Sequence, residues 1–174
     1  MILRLSQQLG TKIKAGTLKA MPLDDNPYAD WSCHLFAANR TQYILVSNTQ
    51  SLYSCVLYGK GITNEYPFIQ RVLSSLREFM EDRGQSFVYQ KFVAPAGEKV
   101  RFATALNRSV TASMNELIRF AIAWLEGGDM APHDLGFQLN DVLLSALAAS
   151  KSDKYGKPNE AFKRLVDGEG RSVV

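Results

Sequence analysis

A polar segment whose side chains could bind an anion lies directly ahead of an apolar helical run. The segment reads NRSVTASMNE at positions 107–116, and LIRFAIAWL follows it. On a helical wheel Arg108, Asn115 and Arg119 align over three turns, close to a helix N-terminus whose free N–H groups attract anions. Glu116 lies on the same polar side of the wheel. A phosphate or a carboxylate is the ligand that this arrangement would hold.

Helix capping alone accounts for most of the same pattern. Ser113 and Glu116 have the spacing of a capping box, and Asn107 or Ser109 could instead cap the helix one turn earlier. The opposite side of the wheel is apolar, as expected of a helix buried along one face. Because no glycine-rich loop precedes the segment, we favour a capped helix over a ligand site.

The histidines and cysteines carry no local signature of a catalytic or metal site, although a pair of Cys33 or Cys55 with His133 stays open. Cys33 and His34 are neighbours in a predicted strand, so their side chains point to opposite faces. Cys33 and Cys55 lie on the outer strands of a predicted meander, ~10 Å apart, too far for a disulfide or a shared zinc. We interpret His34 as a satisfied core residue. The sequence contains no nucleotide-binding, metalloprotease or hydrolase motif, so we assign no cofactor, metal or catalytic residue.

Basic residues alternate with aromatic ones in FVYQKF (87–92) and KVRF (99–102), which we predict to form a hairpin over 86–103. One face of that hairpin would carry aromatic rings for base stacking, with Lys91 and Arg101 beside them. Aromatic residues in the core of a half-buried sheet give the same pattern. We favour that simpler interpretation.

The remaining elements predict an α+β fold. With 174 residues and 46% hydrophobic content, the chain is long enough for one buried core, which predicts a single domain over 1–174. Aromatic and β-branched runs predict a meander with strands near 31–38, 42–48 and 52–59. Helical spacing predicts two main helices, 66–83 and 109–126, packed on one face of a twisted antiparallel sheet. LGFQLNDVLL is predicted to be a last strand, and the tail 167–174 is expected to fray.

Charge and hydropathy limit the compartments and the partners that the sequence predicts. The net charge is only +3, although residues 1–23 carry four basic residues and no acid. No apolar run approaches the ~20 residues that span a bilayer, and the N-terminus does not resemble a secretory signal. Free cysteines fit a reducing compartment. These features predict a cytoplasmic protein with no membrane partner.

Four segments resemble a family of uncharacterised bacterial proteins, a domain of unknown function often found in plasmid- or phage-associated neighbourhoods. They are MILRLSQQL, WSCHLFAANRTQYILVSNTQSLYS, RSVTASMNEL and LGFQLND, and together they cover most of residues 1–145. The family tends to have glycine where Ala112 stands, which favours a structural role for this helix start. The resemblance implies the fold class and a bacterial origin, and it implies no activity.

Three functional hypotheses follow, in order of preference. The first is a non-enzymatic binding or interaction module, with a protein partner or self-association. The second is a nucleic-acid-binding protein that uses the 87–102 hairpin and the stripe formed by Arg108, Asn115 and Arg119. The third is an enzyme whose site assembles from distant residues, with His34, Arg108, Asn115 and Glu116 as its polar groups.

Overall fold

The computed structural model describes residues 1–128, 130–148 and 154–165. The elements in chain order are β1 (Ile2–Leu5), α1 (Gln7–Ile13), β2 (Asp30–Ala38), β3 (Thr41–Asn48), β4 (Ser54–Tyr58), α2 (Glu65–Asp82), α3 (Ser86–Val88), β5 (Arg101–Thr104), α4 (Arg108–Gly127), α5 (Pro132–Leu139) and α6 (Pro158–Arg164). The α+β class, the meander and the two long helices are confirmed. The predicted frayed tail lies outside the described residues. Within the described ranges, no helix is long and apolar enough to cross a membrane.

The strands form one five-stranded sheet in the order β4-β3-β2-β1-β5. The β2–β3–β4 meander is antiparallel, and its first turn places Asn39 and Arg40 at positive φ, as a tight two-residue hairpin requires. β1 instead runs parallel to both of its neighbours, so the prediction of a wholly antiparallel sheet is wrong. The reason is connection length, because a dozen or more residues separate β1 from each partner and allow a crossover.

Both faces of the sheet are covered, which corrects the prediction that the two long helices share one face. Helix α2 packs with α1 in one apolar cluster, together with alternate residues of the meander such as Cys33, Val46 and Cys55. Helix α4 packs in a second cluster with the intervening strand residues, among them Phe36, Leu45 and Val56. A strand with both faces buried has no polar side, and β3 accordingly buries a continuous run from Tyr43 to Asn48.

The predicted hairpin at 86–103 is wrong in its first half. Residues 86–98 are helical, as α3 followed by a π-helical turn (Tyr89–Val93) and a 3-10 turn (Pro95–Glu98). The partly or fully buried apolar residues of this segment recur at 88, 89, 92, 93 and 96, which is helical spacing. Short apolar runs fit both the helical period and the alternation of a strand. Here the packing of the segment against α2 favours the helix. Only β5 is a strand, and it pairs with β1.

The predicted last strand is also wrong, because residues 132–139 form α5. This helix begins at Pro132 and lies along β4, the outermost strand of the sheet. Asn140, at its C-terminal end, accepts a hydrogen bond from the Ser54 N–H at 2.7 Å and donates one to the Ser54 carbonyl at 2.8 Å. The fully buried Asn140 amide therefore forms the two backbone hydrogen bonds that a neighbouring strand would form with Ser54 at the sheet edge.

Replacing Asn140 by alanine is expected to lower the free energy of unfolding by about 2 kcal/mol, because two buried backbone groups of Ser54 lose their partners. Urea denaturation of the native chain and the variant measures the difference. Asn115→Ala is the matched control, since Asn115 is exposed on α4 and is expected to change stability little. Equal stability of the two variants would contradict the edge-capping role of Asn140.

An ion pair is buried against the opposite part of the sheet. The Arg4 guanidinium on β1 contacts the Asp30 carboxylate on β2 through two hydrogen bonds of 2.7 and 2.8 Å. The two side chains are 1% and 0% exposed. Arg4 also donates to the carbonyls of Met21 and Pro22, and so it fixes the segment that precedes β2 over the sheet.

Candidate functional site

A pocket opens where β1 ends. The register pairs Leu5, the last residue of β1, with Cys33 on one side and Thr104 on the other. β2 continues to Ala38, so from His34 onward it has no β1 neighbour. The gap in the sheet is bounded by the residues that follow β1 and β5 and by the start of α4.

The helices on either side of this gap leave the sheet in opposite directions. Helix α1 follows β1 and buries Leu9 and Ile13 in the first cluster, whereas α4 follows β5 and buries Val110 and Met114 in the second. β1 and β5 are parallel and both end at the gap. A crevice at the carboxyl ends of parallel strands, between connections that diverge to opposite faces, is the usual ligand position in open α/β sheets.

The pocket has a volume of about 750 Å³ and a largely apolar lining. This volume lies within the range of small-molecule sites. Its walls combine aliphatic surface with hydroxyl groups and one basic side chain. The lining residues are Leu5, Ser6, Gln7, Gly10, Thr11, Lys14, Gly16, Leu18, His34, Thr104, Ala105 and Thr111. We call this cavity the His34 pocket.

His34 is the buried polar group of this pocket. The residue is 8% exposed, and in the described part of the chain no hydrogen bond or ion pair involves its side chain. Burial lowers the pKa of His34 from 6.5 to about 4, so the ring is neutral at neutral pH. The interpretation of His34 as a satisfied core residue is therefore wrong, because the ring lines a cavity and has no partner there.

The start of α4 decides between the capping alternatives. Asn107 is the N-cap, and its side-chain oxygen accepts a hydrogen bond from the Val110 N–H at 2.9 Å. Ser113 lies one and a half turns inside the helix, buried, and its hydroxyl donates to the Ser109 carbonyl. The prediction of a capping box between Ser113 and Glu116 is therefore wrong, and the prediction that Asn107 caps the helix one turn earlier is confirmed.

The polar stripe of α4 lies where the wheel predicts it. Arg108, Asn115 and Arg119 are exposed, and Glu116 is half-buried. Arg108 and Asn115 line a second, more open depression of about 420 Å³, together with Ala105, Asn107, Thr111 and Ala112. We call it the Arg108 depression. It shares Ala105 and Thr111 with the His34 pocket, so the two cavities adjoin.

The other two predicted binding residues lie apart from these cavities. The Lys91 ammonium sits over the rings of Phe87 and Phe92, at 5.3 and 5.1 Å from their centroids. Arg101 is exposed on β5, with its guanidinium 3.8 Å from the Asp24 carboxylate. Neither residue is among those that line the two cavities. The hairpin face that would stack bases is absent, because Phe87 is exposed on α3 whereas Phe102 on β5 packs against Phe68 in the first cluster.

The two thiols are buried and disfavour the thiolate form that a nucleophile requires. Cys33 and Cys55 are free and buried, and Val46 of β3 stands between them in the register. Burial raises the pKa of Cys55 to about 12 and that of Cys33 well above its usual value, so both stay protonated at neutral pH. In the ranges that the structure describes, no three histidine, cysteine or acidic side chains converge as metal ligands.

The comparisons with known proteins give a family. The model described as "Domain of unknown function (DUF6933)" matches residues 2–161, from β1 into α6. The chain belongs to this family. No curated protein and no solved structure is significantly similar to the chain. All residues that line the His34 pocket and the Arg108 depression fall within the part matched to DUF6933.

Proposed function

We propose that the protein is a non-enzymatic binding module and that its ligand is a small organic molecule held in the His34 pocket. The observation that carries this proposal is a buried imidazole that has no partner among the described residues and lies at the wall of a cavity of about 750 Å³. A binding role was also the preferred hypothesis from the sequence. The pocket lining supplies no carboxylate pair and no thiol, so it favours binding over catalysis.

Free energy supports this assignment of the pocket. The ring nitrogens of His34 are not enclosed by protein atoms and can be reached from the open cavity. A ligand that offers the ring a donor or an acceptor would therefore take the place of solvent there. The apolar body of the ligand would displace water from the aliphatic walls formed by Leu5 and Leu18.

A protein partner or self-association, the use first expected from the sequence, has less support. In the part of the chain that the structure describes, the exposed large hydrophobic residues lie on different elements or loops: Tyr58, Tyr66, Phe87, Phe120, Leu143 and Tyr155. Apolar residues exposed singly are normal on a monomer, whereas an interface presents a contiguous patch. We keep the bacterial origin, the cytoplasmic location and the association with mobile elements as proposals that rest on the sequence alone.

The hypothesis of nucleic-acid binding keeps the basic stripe on α4 as support and loses the aromatic hairpin. The stripe of Arg108, Asn115 and Arg119 is exposed, but Lys91 and Arg101 do not join it on a common aromatic surface. Base stacking supplies much of the affinity for single strands, and a basic stripe without rings binds mainly through salt-sensitive phosphate contacts. The small-molecule proposal is therefore the stronger one.

Filling the pocket tests the proposal. In the Gly10→Leu variant the new Cβ would lie 3.4 Å from Leu18 Cδ1, so the leucine side chain occupies the cavity from its α1 wall. Leucine also favours a helix over glycine, so the fold is retained. We expect the affinity for the neutral fluorescent probe N-phenyl-1-naphthylamine to fall about tenfold, which corresponds to roughly 1.4 kcal/mol. Fluorescence titration measures it.

The control is Gly127→Leu, the same substitution near the end of α4, where an added Cβ meets no atom within 4 Å. This variant should bind the probe as the native chain does. The thermal midpoints of all three proteins establish that they are folded. Absence of binding by the native chain, or equal affinities in the two leucine variants, would overturn the proposal.

A further inference from the structure

We propose that the ligand is an amphiphilic organic anion, with its apolar body in the His34 pocket and its acidic group in the Arg108 depression. This inference rests on the proposed function and adds the chemical class of the ligand. Three observations carry it: the two cavities adjoin, their charged side chains are all basic, and the buried polar group of their lining is neutral.

The two cavities adjoin because they share walls. Ala105, which follows β5, and Thr111, in the first turn of α4, line both cavities. An elongated molecule in the His34 pocket would extend past these two residues to reach the Arg108 depression. The combined site runs from the neutral interior at the end of β1 to the exposed start of α4. An elongated ligand with one apolar and one hydrated end fits such a gradient.

The charge of the combined site is positive. Lys14 lines the His34 pocket, Arg108 lines the depression, and neither cavity has a carboxylate in its lining. Both side chains are exposed, and in the described part of the chain neither forms an ion pair. The field at the mouth thus favours an anion, and a cationic ligand would meet no compensating charge.

Backbone donors add to this field at the Arg108 end. Helix α4 has 20 residues, and its Asn107 cap bonds the N–H of Val110, while the Asn107 carbonyl accepts from Thr111. Within the described ranges the N–H groups of Arg108 and Ser109 have no hydrogen-bond partner. Free N–H groups at a helix N-terminus attract anions. The guanidinium of Arg108 belongs to the same first turn and would add a charged hydrogen-bond donor.

The neutral ring of His34 sets the orientation of the ligand. A carboxylate or sulfonate beside His34 would lose its hydration next to a neutral ring, because the Lys14 ammonium of this pocket is exposed and not buried with it. The acid therefore lies at the Arg108 end, and His34 bonds an uncharged polar group of the ligand body. This places an uncharged hydrogen-bonding group at the opposite end of the ligand from its acid.

Two dyes with the same ring skeleton separate the contributions. N-phenyl-1-naphthylamine is neutral, and 8-anilino-1-naphthalenesulfonate carries one added sulfonate. Fluorescence titration of the native chain should give the anionic dye at least fivefold tighter binding, with one site per chain. Arg108→Gln should reduce the ratio of the two affinities, because the acidic group of the anionic dye loses its guanidinium partner while Lys14 remains. Arg119→Gln is the matched control, because Arg119 is exposed three turns along the same helix and lines neither cavity.

The outcomes distinguish the two proposals. If the native chain binds neither dye, or Gly10→Leu binds both as well as the native chain does, the proposed function fails. If the native chain binds both dyes with equal affinity, the pocket stands and the anionic class is overturned. Equal loss of the anionic dye in Arg108→Gln and Arg119→Gln would overturn it too, because the effect would then be one of general charge.

Discussion

Replacing Arg4 by methionine is expected to lower the free energy of unfolding by about 3–5 kcal/mol, the usual cost of removing one partner of a buried ion pair. The Asp30 carboxylate is fully buried and faces the guanidinium through contacts of 2.7 and 2.8 Å. After the substitution the Asp24 N–H is the one hydrogen-bond donor that this carboxylate keeps among the described residues. The variant also leaves the carbonyls of Met21 and Pro22 without their Arg4 partner.

A second substitution tests whether the cost comes from the stranded charge. Arg4→Met/Asp30→Leu removes both charges, so it should recover part of the stability that Arg4→Met loses. Urea denaturation at neutral pH measures all variants. The control is Arg77→Met, which breaks the exposed Arg77–Glu81 pair and should change stability little. If Arg4→Met is no more harmful than Arg77→Met, the Arg4–Asp30 pair does not stabilise the fold as we argue.

The sequence predicts the elements that have strong local signals. The meander and the two long helices combine many residues of one period with clear turns, and their positions agree with the structure to within about two residues. Residues 86–98 were predicted wrongly because their apolar residues are too closely spaced for one period to exclude the other. The parallel pairing of β1 with β2 and β5 depends on contacts distant in sequence, which no local pattern encodes.

Only those residues of the candidate site that depend on a local pattern could be predicted from the sequence. Arg108 and Asn115 could be identified from the sequence because a helical wheel places them together, and they do line a depression. His34 was misassigned because its environment depends on where β1 ends, which is a property of the assembled sheet. One signal was present: the first apolar run is only about four residues long, whereas β2 is nine. Where β2 extends beyond the end of β1, its residues lie beside a gap in the sheet.

Lowering the pH from 7 to 5 is expected to destabilise the native chain by about 2 kcal/mol through His34 alone. The pKa of His34 is about 4 in the folded chain and 6.5 in the unfolded one, because burial disfavours the charged ring. Between these values the unfolded chain binds the proton and the folded chain does not. Stability therefore falls as the pH decreases through this window and levels off below about 4 with respect to this group.

His34→Gln should remove this part of the pH dependence, because glutamine does not titrate. Urea denaturation at pH 7 and pH 5 gives the loss for each protein, and the difference between native and variant isolates His34 from the carboxyl groups that also titrate. His133→Gln is the matched control. His133 is exposed on α5 and hydrogen-bonds the Asp82 carboxylate at 2.9 Å, outside the pocket. This control should keep the full loss of about 2 kcal/mol that His34 causes.

Imidazole NMR signals measure the same pKa directly, since the chain contains only two histidines. The signal that remains in His133→Gln belongs to His34, and its titration midpoint is expected near 4. A ligand whose uncharged group donates a hydrogen bond to the unprotonated ring nitrogen should lower this midpoint further, because protonation of that nitrogen would compete with binding. A midpoint close to 6.5 would mean that water reaches the ring freely. The cavity would then lose the buried polar group on which both proposals depend.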